Sequence, residues 1–138
     1  MKKNYKAYCG DMFSIFIWMN INMTTTDGYA AYMTPMVWMF IKTFQKLRES
    51  VIVNYQISSL IQMETHAFFD EAFVTIDSFV LKNTVNHSNG LYLRLTDFKG
   101  GMEVQEQKVT EAIKKPYVSY IYRTNQANFE KIPGSPIA

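Results

Sequence analysis

The acidic pair Asp70-Glu71 stands beside Phe68-Phe69, and a carboxyl held among aromatic rings has its pKa raised toward the range useful for general acid or base work. Adjacent residues in an extended segment point apart, so a solvated loop is the stronger reading. Phe68, Phe69 and Phe73 offer flat faces on which a nucleic-acid base can stack, worth about 1–3 kcal/mol per base; by composition alone, burial in the core outweighs that use. Gly100-Gly101 follows Lys99 and precedes a helical pattern, the setting in which backbone N–H groups meet an anion, although a plain turn is the commoner meaning of two glycines. Cys9 and His66 have no identifiable third member and no Gly-x-Ser-x-Gly elbow exists, so nucleophilic catalysis is not expected. The histidines His66 and His87 lack ligand spacing and Cys9 is the single cysteine. A metal site and an internal disulfide are therefore not expected. The Gly-rich turn by which a nucleotide-binding α/β unit brings its backbone against phosphates or a cofactor is also absent.

The elements that must hold these residues follow from hydrophobic periodicity. Gly10-Asp11 offers an N-cap to a helix over Met12 to Met23, apolar on nearly every side and expected to be covered on several. After Asp27-Gly28, the run from Tyr29 to Met33 predicts a central strand that Pro35 keeps short. Phe40, Phe44, Leu47 and Val51 recur at helical spacing, and Ile57 to Met63 predicts a second strand. A strand, a helix and a strand in succession predict a parallel βαβ unit with the two strands as neighbours. Val74 to Leu81 and Leu91 to Thr96 alternate as strands, predicting an antiparallel hairpin closed around Asn89-Gly90. Met102 to Lys115 predicts an exposed helix with Val104, Val109, Ala112 and Ile113 as its contacts, stopped by Pro116, and Tyr117 to Tyr122 predicts a last strand. The fold class is α/β, with 1–138 as a single domain.

At 138 residues and 48% hydrophobic, the chain has the size of one core that buries roughly two-thirds of its unfolded surface. Charged residues make up 19% and the net charge is +2, neither the excess of a disordered chain nor the basicity of an autonomous DNA-binding module. The 15% aromatic content and nine methionines exceed what one sheet layer absorbs, which points to apolar surface that faces a partner. The apolar run after Asp11 is shorter than the roughly 20 residues that cross a bilayer, and no small-residue cleavage site follows the opening Met1-Lys2-Lys3. A cytoplasmic protein without membrane contact is expected.

Several blocks taken together resemble N6-adenine DNA methyltransferases. They are Gly10-Asp11-Met12-Phe13-Ser14-Ile15-Phe16-Ile17, Asp27-Gly28-Tyr29 through Met33-Thr34-Pro35, Val37-Trp38-Met39-Phe40 and Phe44-Gln45-Lys46-Leu47-Arg48. The match continues through Ile57-Ser58-Ser59-Leu60, Ser78-Phe79-Val80-Leu81-Lys82 and Leu95-Thr96-Asp97-Phe98 to Ile132-Pro133-Gly134-Ser135-Pro136-Ile137. It is nearest to the PglX-type methyltransferases of BREX phage-defence systems. No single block is diagnostic; their order and spacing carry the resemblance.

The resemblance implies the C-terminal half of a Rossmann-like, S-adenosylmethionine-dependent methyltransferase fold, with 97–138 leading toward a target-recognition region. The Asn-Pro-Pro-Tyr motif that clamps a flipped adenine lies upstream of the Asp11 block in the family and is absent from this sequence. It implies Phe16 as a wall of the cofactor's adenine site, Phe68 or Phe69 beside the flipped base, and Arg94 and Lys99 as DNA phosphate contacts near the junction with the target-recognition region. It implies no catalytic residue. S-adenosylmethionine is the cofactor of the full-length family, none being expected for this chain alone, and DNA and the remainder of the methyltransferase are the partners. Self-association through surface left bare by the missing half is expected. Two alternatives differ in class: a non-catalytic module that completes a separate cofactor-binding chain, and a stand-alone DNA-binding domain, against which the +2 charge counts.

Overall fold

The computed structural model describes residues 10–68, 71, 74–85 and 88–137. Cys9, Phe69, Asp70, Phe73 and His87 lie outside them. Asp11 caps helix α1 (Met12–Asn22) by accepting a hydrogen bond from the Met12 N–H. Strand β1 (Tyr29–Pro35) follows and ends at the proline, as a residue without an N–H dictates. Two 3₁₀ turns, Met36–Met39 and Lys42–Phe44, lead into α2 (Gln45–Asn54) and β2 (Gln56–Gln62). Then come β3 (Ile76–Lys82), β4 (Asn89–Arg94), α3 (Gly101–Lys114), β5 (Ile121–Asn125) and a 3₁₀ helix over Gln126–Lys131.

The five strands form one sheet in the order β1-β3-β2-β4-β5. Strand β3 runs antiparallel to both β1 and β2, and β2 runs parallel to β4. The α/β class therefore holds, while two expected connections do not. Strands β1 and β2 point the same way but are not neighbours, because β3 lies between them. Strands β3 and β4 make no hairpin, since β2 separates them. Two strand spacings come to about 10 Å, and the segment between Lys82 and Asn89 is long enough to step over the end of β2. Gly90 consequently sits inside β4, where a Cβ would collide with the Ile57 carbonyl oxygen of β2. Close approach of two strands, not a turn, is what this glycine permits.

Consecutive strand residues face opposite sides, and the sheet has a core on each. On one side Ile17 and Ile21 of α1, Leu47, Val51 and Ile52 of α2, and Trp38 and Met39 pack on Tyr32, Phe79, Leu60 and Tyr92. Phe129 and Ile137 close that core. On the other side α3 packs Ala112 and Val109 against Leu91, Leu93, Leu95, Ile61 and Tyr120. Ile113 points outward at 77% exposure, contrary to the helical expectation. Helix α3 reaches only the β2-β4-β5 half of its face, leaving Tyr29, Ala31 and Met33 of edge strand β1 exposed. Helix α1 is likewise covered on one side only: Ile15, Ile17 and Ile21 are buried while Met12 and Phe16 are exposed.

Candidate functional site at the carboxyl end of the parallel strands

Strands β1, β2 and β4 share a direction, so Pro35, Gln62 and Arg94 finish at one end of the sheet. In open α/β sheets that end is where ligands gather. Registration there brings four polar residues into one cross-strand row on one face: Thr34 opposite Asp77, Asp77 opposite Gln62, and Gln62 opposite Arg94. One row further in, the same face carries Tyr32, Phe79, Leu60, Tyr92 and Tyr122. The Tyr32 and Phe79 rings stack at 4.9 Å, and Trp38 meets Phe79 at the same separation.

Asp77 is completely buried. Its carboxylate accepts hydrogen bonds from Thr34 Oγ1 at 2.7 Å and from Trp38 Nε1 at 2.9 Å. Burial pushes its pKa up to about 7 against these hydrogen bonds, which favour the charged form. Trp38 belongs to the turn that follows β1, and this turn is pinned from a second direction. The buried Arg48 donates through Nη1 to the carbonyl oxygens of Trp38 (2.8 Å) and Ile41 (2.6 Å), and through Nη2 to that of Gly134 (2.8 Å). The Ile137 N–H donates to the Met39 carbonyl oxygen at 2.9 Å. Burial lowers the pKa of Arg48, yet a guanidinium keeps its proton. Asp77 and Arg48 thus immobilise the loop after β1 from below, leaving Val37 and Phe40 exposed on top.

The loop after β2 is held by α3. Gln105 Oε1 accepts from the Glu64 N–H at 3.4 Å while Gln105 Nε2 donates to the Phe98 carbonyl oxygen at 2.7 Å. Phe68 sits in this loop at 46% exposure, not in the core where composition put it. Arg94 and Lys99, both exposed, follow β4 at the same end of the sheet. Phe68, Arg94 and Lys99 thus lie at or beyond the ends of strands that finish at one end of the sheet, whereas Phe16 lies on α1 at 53% exposure. Glu71 is exposed, as its loop reading required. Gly100 and Gly101 have φ of +128° and +72°, the backbone of a turn into α3 that glycine alone adopts without strain.

Sequence reasoning missed Thr34, Gln62, Trp38, Arg48 and Asp77. One signal was available, since Asp77 alternates with Phe79 and Leu81 on the inward side of its strand. An aspartate at such a position needs buried donors.

A model of the Eco57I restriction-modification methylase family matches residues 1–69, half of the chain. The chain belongs to that family. The methylase segment is 37% identical over 139 residues to the adenine-specific methyltransferase PglX of Lacticaseibacillus casei (strain Zhang). It is 27% identical over 142 residues to the adenine-specific methyltransferase BrxX of Escherichia coli O9:H4 (strain HS). Each match takes in 99% of this chain and 11% of the relative, so the segment spans about a ninth of their length.

Solved structures show the same fold at low identity. A modification subunit of a putative type I restriction enzyme from Vibrio vulnificus YJ016 superposes with a TM-score of 0.66 at 8% identity, over 83% of this chain and 28% of that one. The DrdV-DNA complex gives 0.63 at 18%, over 90% and 14%. A putative class I S-adenosylmethionine-dependent methyltransferase from Listeria monocytogenes gives 0.52 at 19%, over 70% and 30%. The methylase segment is accordingly the C-terminal part of a Rossmann-like methyltransferase fold.

The turn after β1 is Pro35-Met36-Val37 with Trp38 and Met39 fully buried beneath it, and the loop after β2 has no glycine through which backbone approaches a ligand. Among the described residues no group of His, Cys, Asp or Glu could hold a metal ion, and no helix is long and apolar enough to cross a membrane.

Proposed function

We propose that this chain is a segment of a site-specific DNA adenine-N6 methyltransferase of restriction-modification or BREX type, working in the cytoplasm. It supplies walls of the cofactor and flipped-base pockets and completes its fold against a separate or upstream cofactor-binding half. The observation that carries the reading is the end-to-end match of this chain to a small part of adenine-specific methyltransferases. The exposure of Phe68 at the carboxyl end of the sheet supports its use as a stacking face for an extruded adenine. Arg94 and Lys99 at the same end suit phosphate oxygens of the target strand. Phe16, exposed on α1, suits a wall of the cofactor's adenine site. The cofactor supplies the methyl group when bound to the whole enzyme; this segment shapes and dries the space around the acceptor base. Residues 97–138 lead toward target recognition, and DNA and the remainder of the enzyme are the partners.

The bare face of β1, with Tyr29, Ala31 and Met33 exposed, favours a second reading within the same scheme, a non-catalytic module that docks onto a separately encoded cofactor half. Isothermal titration of the chain alone with S-adenosylmethionine is expected to show no binding. Adding a polypeptide that comprises the rest of the methyltransferase is expected to restore adenine methylation of duplex DNA. Micromolar cofactor binding by the chain alone, or no methylation by the reconstituted pair, overturns the proposal.

A further inference from the structure

A cavity of about 530 Å³ opens on the α1–α2 side of the sheet beside the polar row. Its floor is the cross-strand row Leu60, Tyr92 and Tyr122, its lip is the next row, Gln62 and Arg94, and Phe129 and Ile137 form its wall. Phe129 meets the Tyr92 ring edge-on at 5.5 Å, which fixes both. The lip groups are uncommitted. Arg94 makes one weak contact, Nε to Thr96 Oγ1 at 3.4 Å, and its terminal nitrogens and the Gln62 carboxamide have no partner among the described residues. The Tyr92 hydroxyl, buried without a partner among the described residues, points the other way, toward Gly90, and is no part of the lip. Arg123 also borders the cavity but its Nη1 donates to the Pro116 carbonyl oxygen at 3.1 Å.

A planar apolar floor beside a carboxamide and a free guanidinium asks for a ligand that is flat, carries donors and acceptors on its edge, and bears a negative charge. A carboxamide satisfies the paired donor and acceptor of a base edge, a guanidinium grips a phosphate in bidentate fashion, and the volume lies within the range of small-ligand pockets. We infer that this cavity is a nucleotide subsite, which takes one unpaired nucleotide of a DNA strand with its phosphate on Arg94, its base edge on Gln62 and its ring against Tyr122. The choice of DNA as the source rests on the function proposed above. This subsite is distinct from the Phe68 loop, lying on the β4-β5 side of β2 and not on its β3 side.

The test is fluorescence anisotropy of an end-labelled single-stranded hexadeoxyadenylate titrated with this chain. Saturable binding is expected, weakened about tenfold by Arg94→Met with a salt slope smaller by about one ion. Gln62→Leu and Tyr122→Ala are each expected to weaken it roughly fivefold or more, and Lys46→Met on α2 to leave it unchanged. Deoxyadenosine monophosphate should compete and inorganic phosphate at the same concentration should not. Binding indifferent to Arg94→Met, or equal competition by phosphate, overturns the subsite. Should a variant lose its fold by circular dichroism, the wild-type chain still decides: the monophosphate must protect Arg94 from phenylglyoxal, and no protection overturns the inference. Oligonucleotide binding that persists while the reconstituted pair fails to methylate removes the enzymatic reading and leaves the subsite; methylation with no effect of Arg94→Met on oligonucleotide binding does the reverse.

Discussion

Asp77 couples the interior of the sheet to the solution pH. Its folded-state pKa, about 7, lies above the value near 3.9 of an unfolded aspartate, so the folded chain holds the proton more tightly. The stability linked to it is complete below about pH 4 and is lost as pH rises through 7, by on the order of 4 kcal/mol in full. Asparagine satisfies the same neighbours without titrating, because its oxygen accepts from the Trp38 N–H while its amide donates to the Thr34 hydroxyl, which can turn to receive it. Asp77→Asn is therefore expected to flatten the fall in urea midpoint between pH 5 and pH 8 and to be the more stable protein at pH 8. Equal midpoints for the native chain at both pH values would disprove the assignment. The residue types at this end were in plain view in the sequence, but their juxtaposition was not. Thr34, Asp77, Gln62 and Arg94 are scattered over sixty positions, and only the register of four strands aligns them.

Most elements were legible from local pattern, while their order was not. The Asp11 cap, the stop at Pro35 and the alternation around Phe79 are local signals, and α1, β1 and β3 form where those signals stand. Which strands pair is decided by long-range packing, and β3 enters between β1 and β2 only after both have been laid down in sequence. Asn89-Gly90 misled because a glycine that permits a turn and a glycine that permits close contact look alike in sequence. The two roles separate experimentally. Gly90→Ala places a methyl group against the Ile57 carbonyl oxygen and the Tyr92 ring, and backbone cannot yield as a side-chain tip would. A loss of about 1–3 kcal/mol in chemical denaturation is expected. A neutral substitution would mean that β2 and β4 lie further apart than described.

Taken whole, the described residues cover the two faces of the sheet unequally. Helices α1 and α2 pack over one side beside the open cavity at β4 and β5, whereas α3 covers only part of the opposite side and β1, whose outer edge has no strand partner among the described residues, leaves Met33 at 49% exposure. Such an edge pairs with whatever strand arrives. In the absence of the rest of the methyltransferase, concentration-dependent association is expected in sedimentation velocity, and Met33→Lys should suppress it by placing a charge on that face. A native chain that remains monomeric at high concentration would show the edge to be protected.

Arg48 has a consequence for how the chain is made. Its guanidinium leaves water for three carbonyl oxygens, and one of them, on Gly134, lies 86 residues further along. During synthesis that acceptor emerges only after 86 further residues have followed the arginine. Until then the charge has only the Trp38 and Ile41 carbonyls to rest on, and Met39 waits equally for the Ile137 N–H. The α1–α2 side of the sheet thus cannot shut progressively as residues appear. It locks late, when the Ile-Pro-Gly-Ser-Pro-Ile segment threads home, and a ribosome stalled short of it would hold an open, chaperone-dependent intermediate.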